Sequence, residues 1–213
     1  MTSIGILGSG RVASALASAF ARADHAVTIG SRDPAAAAEK WSGPVVRHAS
    51  YVETARDAAI IINATPGNSS LDWLVSLQSE LDGKILVDLS NATAPSEDGL
   101  PGALCYPNSS LAEQLQRELP RTRVVKTLNT AVSTVMVDPR ILATPPTVFL
   151  SGDDDDAKKT VLGLLTELGW PAEWIIDLGD ITTARGPEAV ALLTWDFFRR
   201  YGVDQPMAVT IAR

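Results

Sequence analysis

The sequence predicts a doubly wound α/β fold with a mostly parallel sheet and a small C-terminal α+β extension, on three observations. An apolar run at residues 4–7 stops at Gly8-Ser9-Gly10 and gives way to an Ala-rich segment with helical spacing. Residues 58–64 form a continuous apolar run, the pattern of a parallel strand covered on both faces. Between and beyond these, short apolar runs alternate with helical segments, as βα units do.

Strand, glycine turn and helix in that order make the fingerprint of a dinucleotide-binding site. Gly8 allows the tight turn, Gly10 lets the backbone approach a pyrophosphate, and Ala13 in the third small position lets helix and strand pack closely. Ser9, Arg11 and Val12 complete a turn whose helix N-terminus offers N–H groups and a positive dipole end to an anion. Val12, Leu16, Ala19, Phe20 and Ala23 share the apolar face of that helix.

The next strand, 26–29, ends in Gly30-Ser31-Arg32. A site selective for NAD puts a carboxylate at this strand end to accept from the ribose 2′-hydroxyl. Here a hydroxyl and a guanidinium suit a 2′-phosphate instead, through charge-assisted hydrogen bonds, with Arg11 as a second cation. NADP is therefore the expected coenzyme. Asp33-Pro34 reads as the N-cap and first residue of the following helix rather than as a ribose ligand.

Bulk composition narrows the function classes. The 213 residues are 46% hydrophobic and 20% charged, enough to bury a large core. A net charge of −7 argues against a nucleic-acid surface. The single Cys105 excludes an internal disulfide, and no Cys/His spacing suggests zinc, so no metal site is expected. No apolar run reaches membrane-span length and the chain opens on a strand, so a cytoplasmic protein without membrane contact is expected.

Further along, residues 33–41 read as a helix, 44–47 as a third strand and 50–57 as a short helix. After the run 58–64 come a helix at 69–80 and a strand at 84–88. The Pro, Gly and Ser content of 92–104 reads as a loop. Ser110 and Glu113 have capping-box spacing and start a helix that ends before Pro120. Residues 123–130 read as a strand with its exit loop, and 147–150 as a further strand. A helix then carries Ala157, Val161, Leu164, Leu165 and Leu168 on its apolar face and stops at Gly169. The aspartates at 153–156 ahead of it read as N-terminal carboxylates rather than metal ligands. After a short strand at 175–178, Pro187 opens a helix that runs to Tyr201 and closes at Gly202. Its Leu192, Leu193, Trp195, Phe197 and Phe198 are too apolar for a solvated helix, so it should pack on the body or on a second subunit.

Ligands of open α/β sheets bind beyond the carboxyl ends of the strands. The candidate loops are therefore Gly8 to Val12, Ser31-Arg32, Thr65-Pro66, Ser90-Asn91-Ala92 and Asn129-Thr130-Ala131. All but the second carry small or amide side chains apart from Arg11, which suits two flat rings better than acid–base work. No catalytic acid or base is expected. His25 falls at the far end of the sheet and His48 in a polar connection. No Tyr has Lys four positions later, which excludes that proton relay, and Lys126 reads as a solvated or salt-bridged strand residue.

Gly8 to Ala13, Gly30-Ser31-Arg32, the run 124–130, Gly152 to Asp155 and the segment Leu178-Gly179-Asp180…Ala184-Arg185…Glu188 together resemble the NADPH-dependent F420 reductases. The resemblance covers nearly the whole chain. It implies one Rossmann domain over 1–213, with a core to about 150 and the extension from about 151, often homodimeric. The implied reaction passes a hydride between NADP(H) and the deazaflavin coenzyme F420. Carried over, Ser9, Gly10, Arg11 and Val12 bind pyrophosphate and Ser31 with Arg32 the 2′-phosphate. Thr65 and Pro66 flank the nicotinamide, and Asn129 to Ala131 lie beside the ring pair. Archaeal deazaflavin reductases have histidine where this chain has Asn129. Asparagine there resembles the flavin-using domain of transmembrane metalloreductases, which keeps FMN and FAD open as acceptors. The other readings are an NADP-binding redox sensor without turnover and a small imine or ketone reductase.

Overall fold

The short apolar runs form strands and the Ala- and Leu-rich segments between them form the covering helices. The computed structural model describes residues 1–203 and 205–212, so Asp204 and Arg213 at the end of the extension lie outside the described residues. The first half of the chain is a βα alternation: β1 (Ser3–Leu7), α1 (Arg11–Arg22), β2 (Ala26–Gly30), α2 (Pro34–Glu39), β3 (Arg47–Ala49), α3 (Tyr51–Asp57) and β4 (Ile60–Asn63). Next come α4 (Gly67–Val75), α5 (Gln78–Leu81) and β5 (Ile85–Asp88). A hairpin of β6 (Thr93–Pro95) and β7 (Pro101–Leu104) precedes α6 (Leu111–Glu118) and β8 (Arg123–Lys126). The rest is α7 (Ser133–Val137), β9 (Val148–Leu150), α8 (Asp155–Glu167), β10 (Ile175–Asp177) and α9 (Arg185–Tyr201).

Six strands form one parallel sheet in the order β3-β2-β1-β4-β5-β8, so the winding reverses between β1 and β4. This is the doubly wound fold that the sequence predicts. Side chains alternate between the two layers. Ile4, Ile6, Ile60, Ile62 and Val87 face one core with Leu16, Phe20 and Leu165. Leu7, Ile61 and Leu86 face the other with Leu74, Leu81 and Leu115. That double coverage is why β4 and β5 are apolar up to Asn63 and Asp88 at their carboxyl ends. The sheet ends at β8, and β9 pairs with β10 in a small parallel sheet of its own, joined to β8 by a Lys126–Ser151 bridge.

Several boundaries differ from the sequence reading. The buried face of α1 is Ala13, Leu16, Ala17 and Phe20, while Val12 and Ala19 lie at its margin and Ala23 is exposed past the last turn. Small residues at its centre are what let α1 sit close to the sheet. The third strand starts at Arg47 rather than 44, because pairing with Thr28 begins there and Val45 points to solvent. The helix read over 69–80 is two, broken at Ser76 and Leu77. The stretch 92–104 is the β6–β7 hairpin rather than a loop. Helix α9 starts two residues before Pro187, continuing a 3₁₀ turn over Ile181–Ala184. It packs by Pro187, Glu188 and Ala191, while Leu193 and Tyr201 remain 67% and 61% exposed.

Lys126 is salt-bridged but not solvated: its side chain is 1% exposed. Its Nζ donates to Asp88 Oδ2 at 2.7 Å, to Glu188 Oε1 at 2.7 Å and to the Ser90 carbonyl. Glu188 Oε2 also accepts from the Leu111 backbone N–H at 2.8 Å. Burial alone would lower the Lys126 pKa; the two carboxylates reverse this and hold it above the ordinary value. Burial pushes the Glu188 carboxyl up, and Asp88 adds to the shift against the attraction of Lys126. Removing one partner of a buried pair leaves an uncompensated charge, so Lys126→Met is expected to cost about 3–5 kcal/mol of stability. Urea unfolding measures this, and a loss under about 1 kcal/mol would show the cluster to be dispensable.

Candidate active site

The glycine turn is squeezed between neighbouring strand ends. Gly8 has φ +122°, donates its N–H to the Gly30 carbonyl at 2.9 Å, and a Cβ there would fall 2.6 Å from the Ala64 carbonyl oxygen. Gly10 is the N-cap of α1 in extended backbone, and a Cβ there would meet nothing within 4 Å. The two glycines therefore do different work: the first is required by the fold, the second keeps space open. Helices α2, α3, α6 and α8 are capped by the side chains of Asp33, Ser50, Ser110 and Asp154. Gly10 supplies no such acceptor, so the start of α1 keeps its capacity for an external anion. Ser9, Gly10 and Arg11 are exposed there, and Val12 is half-buried.

A cleft of about 340 Å³ opens beside this turn, between α1 and α2. Ser9, Ser31, Arg32 and Lys40 line it, with Trp41 and His48. Ser31 is 5% exposed and its Oγ has no hydrogen-bond partner. A buried hydroxyl without a partner is costly in isolation, and a phosphoryl oxygen beside Arg32 would satisfy it. The residues present thus fit a 2′-phosphate. Asp33 lines the same cleft, with its Oδ1 committed to the α2 cap, accepting from Ala36 N–H at 3.0 Å. His48 is on β3 at the floor of this cleft, not in a connection. Both its ring nitrogens are buried without partners, its ring meets Trp41 edge-on, and burial lowers its pKa. Ending the third strand at Arg47, one residue before His48, hid this. His25 instead binds Glu167 at the opposite end of the sheet.

A second cleft, of about 350 Å³, lies beyond β4 and β5. Thr65, Pro66 and Asn91 line one part, and the hairpin with Trp195 of α9 lines the rest. Thr65 is held by its neighbours: its Oγ1 donates to Asn63 Oδ1 at 2.6 Å, and its carbonyl accepts from Ser90 Oγ at 2.7 Å. A Cβ on Gly67 would fall 2.5 Å from the Asn91 carbonyl, so only glycine lets these two loops touch. Asn129 Nδ2 donates to Asn91 Oδ1 at 2.8 Å and to the Pro187 carbonyl at 2.9 Å, and Asn91 Nδ2 returns a bond to the Asn129 carbonyl. Both hydrogens of the Asn129 amide nitrogen are engaged, so its side-chain oxygen is what it has to offer a ligand. The turn that delivers Asn129 bends at Leu128, whose φ of +59° is unusual for a bulky residue. Ala131 forms a β-bridge with Ala208. Trp195, the hairpin and the Lys126 cluster were missed by sequence reasoning. Lys126 and Glu188 each lay within a motif, but no local pattern joins Glu188 to residues 62 and 100 positions earlier.

The sequence profile described as NADP oxidoreductase, coenzyme F420-dependent, matches residues 3–92. A crystal structure of a proposed F420-dependent NADP reductase from Arthrobacter sp. FB24 is 39% identical, with a TM-score of 0.92 and full coverage of both chains. The F420-dependent NADP reductase of Methanocaldococcus jannaschii is 28% identical over 144 residues, 66% of this chain and 62% of its own length. Metalloreductase STEAP3 of Rattus norvegicus is 30% identical over 190 residues, 89% of this chain but 36% of the relative. The chain therefore spans less than two thirds of both of these curated relatives. Fold and relatives alike define an oxidoreductase class that uses NADP. Within it, the chain belongs to the coenzyme F420-dependent NADP oxidoreductase family. No helix among the described residues is long and apolar enough to cross a membrane.

The different roles of the two glycines give a direct test. Gly10→Ala is expected to cost about 1 kcal/mol of stability or less, as an N-cap change, yet to weaken NADPH binding more than about tenfold. Thermal unfolding and calorimetric titration separate the two effects; unchanged binding would place the pyrophosphate elsewhere.

Proposed function

We propose that the protein transfers a hydride between NADP(H) and a flavin-type acceptor, with the deazaflavin coenzyme F420 first and FMN or FAD as alternatives. The observation that carries the coenzyme half is the partnerless, buried Ser31 hydroxyl beside Arg32. In this reading Ser31 and Arg32 hold the 2′-phosphate, and the start of α1 with Ser9, Gly10, Arg11 and Val12 holds the pyrophosphate. Thr65 and Pro66 flank the nicotinamide, with Asn91, Asn129 and Ala131 at the ring pair.

The bound nicotinamide supplies the chemistry, giving or taking two electrons and one proton as a hydride. What the chain contributes is orientation: Thr65, Asn91 and Asn129 are fixed by one another and by the sheet, so two rings are held in register with little reorganisation. Proton exchange of a flavin-type ring proceeds with solvent, and the neutral lining of the second cleft supplies no acid for an imine or ketone. The same reading takes the protein as a homodimer. Leu193, Phe197 and Tyr201 recur every four residues on the outer face of α9, the stripe that a second copy would cover.

Arg32→Ala is expected to weaken NADPH binding by roughly tenfold to a hundredfold while leaving NADH nearly unchanged, because it removes a charged phosphate partner. Equal losses for both coenzymes count against the 2′-phosphate reading. Following NADPH absorbance with F420, FMN and FAD in turn tests the acceptor; binding without oxidation by any of them favours a sensor. Sedimentation at the mass of one chain would remove the dimer.

A further inference from the structure

Helix α9 presents two unlike faces. Leu193, Phe197 and Tyr201 look outward, whereas Trp195 and Arg199 lie roughly 200° away around the helix. On that inner face Arg199 grips the hairpin: its Nε donates to Asp98 Oδ2 at 2.9 Å, and its Nη2 to Ser96 Oγ at 3.1 Å and the Pro101 carbonyl at 2.8 Å. The Arg199 guanidinium holds the Asp98 carboxyl well below the ordinary carboxylate range, with Ser96 and the Leu100 N–H adding to it. One turn earlier, Trp195 lines the second cleft together with Pro95, Gly99 and Pro101 of the same hairpin. Phe198 meets the indole edge-on, with centroids 5.5 Å apart and planes at 77°, which fixes the plane of Trp195 from behind.

The second cleft is thus made of two bodies. Thr65, Pro66 and Asn91 belong to the sheet and its tightly bonded loops. Trp195 and the hairpin belong to an outer wall tied together by one guanidinium. No charged side chain lines this cleft, and its aromatic surface is the indole. A neutral slot closed by one indole discriminates by shape and stacking, not by charge.

We propose that Trp195 is the stacking surface for the planar ring of the hydride acceptor, and that Arg199, by binding the hairpin to α9, sets the width of the slot that admits it. The inference rests on the flavin-type acceptor reading above. It assigns acceptor selection to the hairpin and α9, separately from coenzyme selection at Ser31 and Arg32. Trp195 touches the ligand; Arg199 is a positioning residue that acts through the hairpin.

The test is equilibrium binding of F420, FMN and FAD to the full chain in the presence of NADP⁺, followed by the acceptor's own fluorescence, together with acceptor KM and NADPH Kd. Trp195→Ala is expected to raise the acceptor Kd and KM about tenfold, the scale of one lost aromatic stack, and to leave NADPH Kd unchanged. Trp195→Phe, which keeps an aromatic face and guards against a folding defect, should stay within about threefold of the native protein. Arg199→Met should raise acceptor Kd with NADPH Kd unchanged, and Arg199→Lys should restore part of the loss because it keeps a cation for Asp98. The proposal is overturned if Trp195→Ala binds the acceptor as the native protein does, or if NADPH binding falls in step. If the native protein binds NADP⁺ but none of F420, FMN and FAD, the acceptor reading itself fails and this inference with it.

Discussion

Lys126 is buried where three parts of the chain meet, and its ammonium can exist there only because Asp88 of β5 and Glu188 of α9 face it from two sides. A lone charge at that depth would be expelled or neutralised, so the sheet and the C-terminal helix are obliged to come together in one arrangement. The same contact reaches the second cleft. Pro187, next to Glu188, accepts from Asn129, and Ser90, whose carbonyl accepts from Lys126, braces Thr65. The position of the Thr65 and Asn129 loops and that of α9 therefore follow from one set of charges. An apolar cluster of equal volume could hold α9 as firmly, but it would not dictate which turn of the helix meets the sheet.

The two clefts are built on different physical terms. The first cleft offers cations and an unsatisfied hydroxyl, features that select a charged group and are sensitive to its absence. The second offers amides, prolines and one indole. Two neighbouring clefts of about 340 and 350 Å³ with such different linings suit a reaction between a phosphorylated nucleotide and a flat ring.

The doubly wound core was legible because most of its strands are local apolar runs and most of its βα steps are short; β3, Arg47-His48-Ala49, is the exception. The glycine turn, the Asp33 cap and the stop at Gly169 were legible for the same reason: their causes lie within a few residues. The hairpin was not, because three- and four-residue strands carrying Pro95 and Pro101 look like loop, and what stabilises them is Arg199, about a hundred positions away. Lys126 was half legible: a strand lysine calls for a partner, but its depth depends on Glu188, and no local spacing reveals that. His48 was misplaced by a strand end only two residues off, which shows how narrow the margin is for a side chain whose role depends on facing a cleft.

The order in which the cluster's members leave the ribosome has a consequence for biogenesis. Asp88 and Lys126 are synthesised 38 positions apart and pair within the sheet, whereas Glu188 follows Lys126 by 62 more. Domains fold from the N-terminus as they emerge, so the nucleotide-binding half can close around a one-to-one ion pair before α9 exists. The second carboxylate then becomes available to dock the helix, and Trp195 and Arg199 of the outer wall follow it in the chain. A nascent chain shorter than 188 residues would carry the glycine turn, Ser31 and Arg32, but neither Trp195 nor Arg199.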